Sequence, residues 1–292
     1  MDTSSRFDAL LPPEMALRAE SIGVAKAELG AVSTLALAVL AGAFIALGAM
    51  FAATVASGAA GVLPPGLTRL LSGLVFSLGL ILVVVGGAEL FTGNTLIIMA
   101  WASRRLSHTA LIRNWTLVYA GNFLGAIGTV ILVLLGRQYA FDDGAIGSVV
   151  LATATHKVRL GFLQALVLGI LANGLVCLAV WLSFSARTTT DRILAVIFPI
   201  SAFVAAGFEH SIANMYSVPL GILIRTHADD AFWHTVESAP AQHAALTWPN
   251  FLLHNLLPVT IGNIIGGVVL VGATYWFIYL RARRAAAETG RT

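Results

Sequence analysis

The chain has 292 residues, of which 58% are hydrophobic and only 11% are charged. Soluble domains carry roughly 25% charged residues, so this composition excludes an ordinary soluble domain and indicates a membrane protein. The net charge of +3 is explained by lysines and arginines in the segments between apolar runs, and it does not indicate a nucleic-acid partner.

Residues 1–30 precede the apolar runs and carry eight charged side chains. Because no basic stretch is followed there by a short apolar core, we do not expect a cleaved signal peptide. Residues 13–29 are predicted to form an amphipathic helix with one apolar face, made of Met15, Ala19, Ile22 and Leu29. Such a helix can lie on the membrane surface, under a pore or in solvent, and the sequence leaves these alternatives open.

Six apolar runs follow, and a span needs about 20 residues to cross a bilayer. They cover residues 31–57, 67–103, 108–136, 159–185, 189–226 and 249–280. The second and fifth runs have 37 and 38 residues, too many for one span and too few for two. Each of these is predicted to contain a half-helix, a loop and a second half-helix. The predicted domains are an N-terminal segment (1–30), one six-span unit (31–280) and a basic tail (281–292).

Both interrupted runs contain a glutamate followed five residues later by an asparagine. AELFTGN holds Glu89 and Asn94, and GFEHSIAN holds Glu209 and Asn214. Charged side chains inside a bilayer are costly and therefore mark important sites. Because both halves share the pair, we interpret Glu89 and Glu209 as residues that fix the loops by bonding to backbone groups freed at the break. Asn94 and Asn214 are predicted to be N-caps of the second half-helices.

A second matched motif supports an internal repeat. GNFLG at 121–125 follows the first break, and GNIIG at 262–266 follows the second. Glycines at this spacing allow helices to pack closely in lipid. Three spans per half is an odd number, so the halves, about 31–136 and 159–280, must be inverted relative to each other. The predicted fold is an all-α membrane protein with six spans in an inverted 3+3 repeat and two broken helices.

The two loops differ between the shared glutamate and asparagine, and this difference indicates where the chemistry lies. Leu90 in the first loop corresponds to His210 in the second. A histidine present in only one half is not needed for the fold, so His210 is the leading candidate for mechanism. Thr92 offers a hydroxyl opposite it, although a bond to its own helix is an equal alternative. Half-helix amides would add positive dipole ends, which suit a small anion.

Other residues allow two interpretations. Lys157, between the third and fourth runs, either attracts anions to a pore mouth or is an ordinary solvated lysine. Asn173 has no polar counterpart in the first run. Several bulky side chains near the breaks either pack in the core or form constrictions: Phe76, Leu80, Leu90, Phe91 and Phe203.

The positions of lysine and arginine predict the orientation in the membrane. Twelve lie in the N-terminal segment, the 103–114 loop, the 186–192 loop and the C-terminal tail, and five lie on the other side. The positive-inside rule therefore predicts that both termini face the cytoplasm.

Enzymatic and metal chemistry lack the residues they need. No nucleotide-binding glycine motif or nucleophile elbow is present, and the histidines of HADDAFWH at 227–234 have no specific ligand spacing. A metal or base pair built on His210 would need a second ligand one turn away, where Ala206 and Asn214 stand. We therefore expect no enzyme activity, cofactor or metal. A water or ammonia channel stays open as an alternative.

Four segments together resemble the formate/nitrite transporter family: GAELFTGN, LGILANGLVCLAVW, GFEHSIANMY and PVTIGNIIGG. The likeness covers nearly the whole chain, and LTWPNFLLHNLLPVTIGNIIGG resembles the formate-channel branch. His254 and Ser217 depart from what that branch leads us to expect. The resemblance implies an aquaporin-like homopentamer in the inner membrane, with one pore per protomer. Each pore would carry formate in both directions, with nitrite as the alternative and hydrosulfide or lactate as further ones.

The resemblance also implies roles for individual residues. It identifies His210 as the central histidine and Thr92 as its opposing loop residue. It also makes Asn173 and Asn263 pore asparagines and Lys157 the vestibule lysine. The cytoplasmic constriction matches Leu80, Leu90 and Phe91, and the outer constriction matches Phe76 and Phe203. Our hypothesis is that His210 beside Glu209 either gives a proton to the anion or remains charged and anchors it. The expected partners are formate, protons and membrane lipid.

Overall fold

The computed structural model describes residues 9–282, so residues 1–8 and most of the predicted tail lie outside the described part. The described residues form helices and contain no β-strand, which confirms the all-α prediction. The longer helices are α1 (Pro12–Glu28), α2 (Ala31–Ala56), α3 (Pro65–Gly86), α6 (His108–Leu135), α7 (Ala145–Val158), α8 (Phe162–Ser185), α9 (Thr189–Ala205) and α10 (Ser211–His227). Shorter ones are α4 (Phe91–Asn94), α5 (Ile98–Ala102), α11 (Asp230–Thr235), α12 (Leu257–Ile265) and α13 (Thr274–Tyr279).

Helices long and apolar enough to cross a bilayer occupy five of the six predicted runs. In the described residues they are Ala31–Ala56, Pro65–Gly86, His108–Leu135, Phe162–Ser185 and Asn250–Tyr279. The fifth run instead forms α9 and α10, of 17 residues each, separated by a break. The last span contains two π-helical stretches, Asn250–Leu256 and Gly266–Ala273, on either side of α12.

Both predicted breaks are present, and each begins at a glycine. Gly87 and Gly207 have φ angles of +79° and +73°, a left-handed conformation that favours glycine. The first break is less symmetric than predicted, because α3 has 22 residues and is too long for a half-helix. Its apolar sequence runs without interruption to Gly86, so the helix continues until the chain reaches the left-handed Gly87.

Helix α1 packs against the protein. Its buried residues are Met15, Ala16, Ala19, Gly23 and Ala27, and it contacts α5, α6 and α8. Ile22 is only half-buried, and Leu29 lies beyond the last helical residue. Helix α1 therefore packs on other helices of the protein and does not stand free in solvent.

A helix that the sequence did not predict lies between the third and fourth spans. Residues 145–158 form α7, which packs against α10 and ends at Lys157 and Val158. Its 14 residues are too few to cross a bilayer, so the apolar runs in the sequence do not reveal it.

Glycines allow the close helix crossings that the GNxxG motifs predicted. A Cβ atom at Gly125 would overlap the carbonyl oxygen of Val39, and one at Gly262 would overlap that of Leu166.

We expect Gly262→Ala to destabilise the protein by about 1–3 kcal/mol through overpacking. The matched control is Gly128→Ala on α6, where a Cβ meets no atom within 4 Å. Thermal unfolding in detergent should show a lower midpoint for the first variant only, and equal midpoints would contradict this packing.

Candidate functional site

The first loop is held by four side chains that we call the α1 cluster. Lys26 Nζ donates to Glu89 Oε1 at 2.7 Å and to Asn94 Oδ1 at 3.0 Å. Asn94 Nδ2 in turn donates to Glu89 Oε2 at 2.6 Å and to Asn114 Oδ1 at 2.9 Å. Asn114 Nδ2 closes the ring by donating to the Lys26 carbonyl at 3.1 Å. The cluster thus ties α1 and α6 to the break after α3.

The second loop is held by a matching α7 cluster. Lys157 Nζ donates to Glu209 Oε1 at 2.7 Å, and Asn214 Nδ2 donates to Glu209 Oε2 at 2.7 Å and to Asn255 Oδ1 at 2.8 Å. Asn255 Nδ2 donates to the Lys157 carbonyl at 3.1 Å. The bond from Lys26 Nζ to Asn94 Oδ1 has no equivalent in the α7 cluster, because Asn214 Oδ1 is buried and accepts no hydrogen bond from the described residues.

The two clusters make α1 the counterpart of α7. Lys26 and Lys157 each stand in the last turn of a short helix that precedes the first span of a half. The repeated unit therefore begins before residues 31 and 159, where the sequence motifs had placed its start. Lys26, Asn114 and Asn255 were missed by sequence reasoning. A comparison of the residues ahead of each half, with Lys157 as the reference, would have found Lys26.

The predicted N-caps are wrong. Helix α4 has Leu90 at its N-cap and α10 has His210, so Asn94 and Asn214 lie one turn inside these helices. The physical reason is that both asparagine side chains form hydrogen bonds with the side chains of a glutamate and a second asparagine, and not with the amides of the first helical turn. The glutamates likewise bond to lysine and asparagine side chains and not to freed backbone groups.

The backbone groups at the breaks are satisfied by the asparagines of the two GNxxG motifs. Asn122 Oδ1 accepts from Phe91 N, and its Nδ2 donates to the Glu89 carbonyl. Asn263 Oδ1 accepts from Ser211 N, and its Nδ2 donates to the Glu209 carbonyl. Asn263 therefore holds the second loop in place. The motif analysis had used only the glycines, and the family resemblance had made Asn263 a pore asparagine, whereas here it bonds to the loop backbone and lines neither of the two cavities described below.

Two cavities approach each other from opposite ends of the helix bundle. The α1 cavity, of about 270 Å³, has Lys26 and Glu89 in its wall and reaches Leu80 and Leu90. The α7 cavity, of about 330 Å³, has Lys157 and Glu209 in its wall and reaches Phe76, Phe203 and His210. The rings of Phe76 and Phe203 meet edge to face, with centroids 5.5 Å apart. Four of the five side chains predicted as constrictions, Phe76, Leu80, Leu90 and Phe203, thus line the cavities.

His210 and Thr92 form a buried pair between the two breaks. His210 Nε2 lies 2.9 Å from Thr92 Oγ1, and the two residues are 2% and 0% exposed. The other ring nitrogen, Nδ1, accepts from Ala213 N at 3.1 Å and caps α10. Because Nδ1 is an acceptor, we assign the proton of the neutral ring to Nε2, which then donates to Thr92 Oγ1. The Thr92 hydroxyl keeps its own proton for another acceptor.

Asn173 and Phe91 are not among the residues that line the two cavities. Asn173 Nδ2 donates to the Asn263 carbonyl at 2.6 Å and approaches the Thr92 carbonyl at 3.3 Å. It supports the Thr92 backbone and lines neither of the two cavities described above. The Phe91 ring packs edge to face on Tyr119, with centroids 4.9 Å apart. This contact favours a packing role for Phe91 over the predicted role in a constriction.

Lys157 is less available to an anion than the sequence suggested. Its side chain is 15% exposed and is paired with Glu209, which is 4% exposed. The pair is electrically neutral as a unit. The described residues contain no group of three or more His, Cys, Asp or Glu side chains arranged to hold a metal ion.

Comparisons with known proteins agree with this geometry. A family model described as formate/nitrite transporter matches residues 13–277. The formate channel FocA of Escherichia coli (strain K12) is 50% identical over 281 residues, covering 96% of this chain and 98% of that one. FocA of Haemophilus influenzae is 42% identical, covering 90% and 93%. A solved pentameric formate channel with formate bound superposes with a TM-score of 0.82 at 48% identity, covering 86% and 98%.

Proposed function

The chain belongs to the formate/nitrite transporter family, and from this premise we propose that it moves formate across a membrane through a channel-like pore. It is a multi-pass membrane protein and a transporter, not an enzyme. The observation that supports the pore most directly is the pair of opposed cavities, which end on either side of one buried histidine–threonine pair. Formate would enter one cavity, pass this pair and leave through the other.

The main energetic obstacle is the apolar region between the cavities. Formate carries a full charge, and its removal from water costs several kcal/mol. Phe76 and Phe203 at one end, with Leu80 and Leu90 at the other, offer it no hydrogen bonds. In this region the His210 ring and the Thr92 hydroxyl can replace part of its hydration.

The assigned proton positions limit what His210 can do. The neutral ring can share its Nε2 hydrogen with Thr92 or with the anion, but giving that proton up entirely would leave an imidazolate. A complete transfer therefore requires that a proton from bulk water first be added at Nδ1, at the cost of the bond from Ala213 N. The doubly protonated ring then gives its Nε2 proton to formate, and formic acid crosses the apolar region as a neutral molecule. Flux should accordingly rise as the pH falls.

The alternative role for His210 is an electrostatic anchor that keeps its proton. In that case the pore conducts the anion itself and carries current. The two roles make different predictions about the movement of protons, which the last experiment of the Discussion measures.

We further propose that the protein forms a homopentamer with one pore per protomer, by analogy with the pentameric formate channel that it resembles. Its membrane would be the cytoplasmic membrane, with both termini in the cytoplasm. The contacts of the basic segments agree with this arrangement. Arg18 on α1 bonds to the Phe184 carbonyl near the 186–192 loop, and Arg105 pairs with Glu20, so segments predicted on one side do lie together.

Uptake by the purified protein in liposomes tests the substrate. We expect rapid formate flux over the background of empty liposomes and no chloride flux, because a proton can neutralise formate but not chloride within the pore. Nitrite is the runner-up, since the family description includes it. Faster nitrite than formate flux at equal gradients would replace formate as the assigned substrate, and the absence of both would contradict the proposal.

A further inference from the structure

The charge of the α1 cavity comes from two arginines. Four charged side chains line it, namely Arg18, Lys26, Arg192 and Glu89. Lys26 and Glu89 are paired at 2.7 Å and cancel each other. The cavity therefore keeps the two positive charges of Arg18 and Arg192.

Neither guanidinium is neutralised by a carboxylate of the described residues. Arg18 Nη1 donates to the Phe184 carbonyl at 3.0 Å, and this bond fixes the position of the guanidinium. The other N–H groups of the guanidinium do not take part in it. Arg192 stands in the first turn of α9, half-buried, and forms no ion pair with a described residue. The nearby Asp191 carboxylate accepts from the amides of Arg187 and Thr188.

Burial and neighbouring positive charges make the charged form of Arg18 less favourable. The pKa of Arg18 is lowered by burial and then by the positive charges of Arg192 and Arg187. Like charges that share a partly buried site are relieved when an anion binds between them. A guanidinium is moreover well suited to an oxyanion, because its planar donors match the two oxygens of a carboxylate.

We propose that Arg18 and Arg192 form a capture site for small oxyanions at the α1 mouth, which binds formate before it reaches Leu80 and Leu90. The site rests on the proposed transport of formate and adds residues that neither the sequence motifs nor the histidine–threonine pair include. Positive charge at a mouth raises the local concentration of anions and their rate of entry.

The opposite cavity has a weaker version of the same arrangement. Lys157 and Glu209 cancel each other there, and Arg69 on α3 remains as an exposed guanidinium in the wall. Arg69 and Arg192 both lie near the start of the first helix of a broken pair. The two mouths are thus related by the repeat, and Arg18 on α1 makes the α1 mouth the more positively charged of the two.

The test combines charge removal with a divalent competitor. Inorganic sulfate should occupy a pair of guanidiniums more tightly than formate does, and its two charges prevent it from crossing the apolar region. With sulfate on both faces of the liposomes, orientation does not matter. We expect sulfate to inhibit formate flux of the wild-type protein competitively. Arg192→Gln should raise the half-saturating formate concentration and weaken sulfate inhibition, each about threefold, while the maximal flux stays unchanged. Arg192→Lys should keep most of both effects.

Arg105→Gln is the matched control, because it removes a positive charge near α1 that pairs with Glu20 and does not line the cavity. Arg18→Gln serves as a second variant, with elution as an intact oligomer as the folding check. If wild-type protein carries formate but Arg192→Gln and Arg105→Gln behave alike, the capture site is wrong. If wild-type protein carries no formate at all, the proposed function itself fails.

Discussion

Replacement of His210 by asparagine is expected to give a folded protein whose formate flux falls by about tenfold or more at acidic pH and no longer changes with pH. Asparagine is a good N-cap, so its side chain can accept from Ala213 N as His210 Nδ1 does. It cannot take up a proton between pH 5 and 8. The variant therefore separates the capping role of His210 from its role as a titrating group.

Phenylalanine at the same position removes both roles. We expect His210→Phe to abolish flux and to lower the unfolding temperature, because α10 loses its cap and the Thr92 hydroxyl loses its partner. The measurement is formate flux in liposomes at several pH values for wild type and both variants. A His210→Asn protein with the flux and pH dependence of the wild type would exclude a proton relay.

Replacement of Glu209 by alanine is expected to destabilise the protein by about 3–5 kcal/mol, since it leaves a largely buried lysine without its counter-charge. Lys157 is only 15% exposed on its side chain, and the amides of Asn214 and Asn255 lose the same acceptor. The thermal unfolding midpoint in detergent and the recovery of intact oligomer report this loss.

Glu89→Ala is the matched control from the other half. Its partner Lys26 is 29% exposed and also donates to Asn94, so water and the asparagine can compensate more readily. We expect a smaller loss of stability for Glu89→Ala than for Glu209→Ala. Equal losses, or none, would show that the clusters do not hold the breaks in the way their geometry indicates.

The sequence was most informative where the two halves repeat. The spacing from Glu89 to Asn94, and from Glu209 to Asn214, marks the two breaks because a carboxylate at membrane depth requires a special environment. The contrast between Leu90 and His210 selected His210 as the candidate for mechanism, and the structure places it against Thr92 between the two breaks. Patterns that recur within one chain can be compared without any other sequence.

Partners that are distant in the chain were not visible in the same way. Lys26 contacts Glu89 across a separation of 63 residues, and the sequence did not show that its helix packs against the rest of the protein. Helix α7, which carries Lys157, is too short to be predicted as a membrane span. The N-cap at His210 depends on the direction of the Asn214 side chain, which is fixed only by the fold. These contacts are tertiary, and neither propensity nor periodicity contains them.

The central claim, that formate crosses between the cavities together with a proton, is tested most directly by a pH-sensitive dye trapped inside liposomes. An inward formate gradient is applied at equal pH on both sides, and empty liposomes supply the background from formic acid that crosses the lipid unaided. We expect rapid acidification of the interior with wild-type protein and only the background rate with His210→Asn. Formate entry that carries current and leaves the interior pH unchanged would contradict it and identify His210 as an electrostatic anchor.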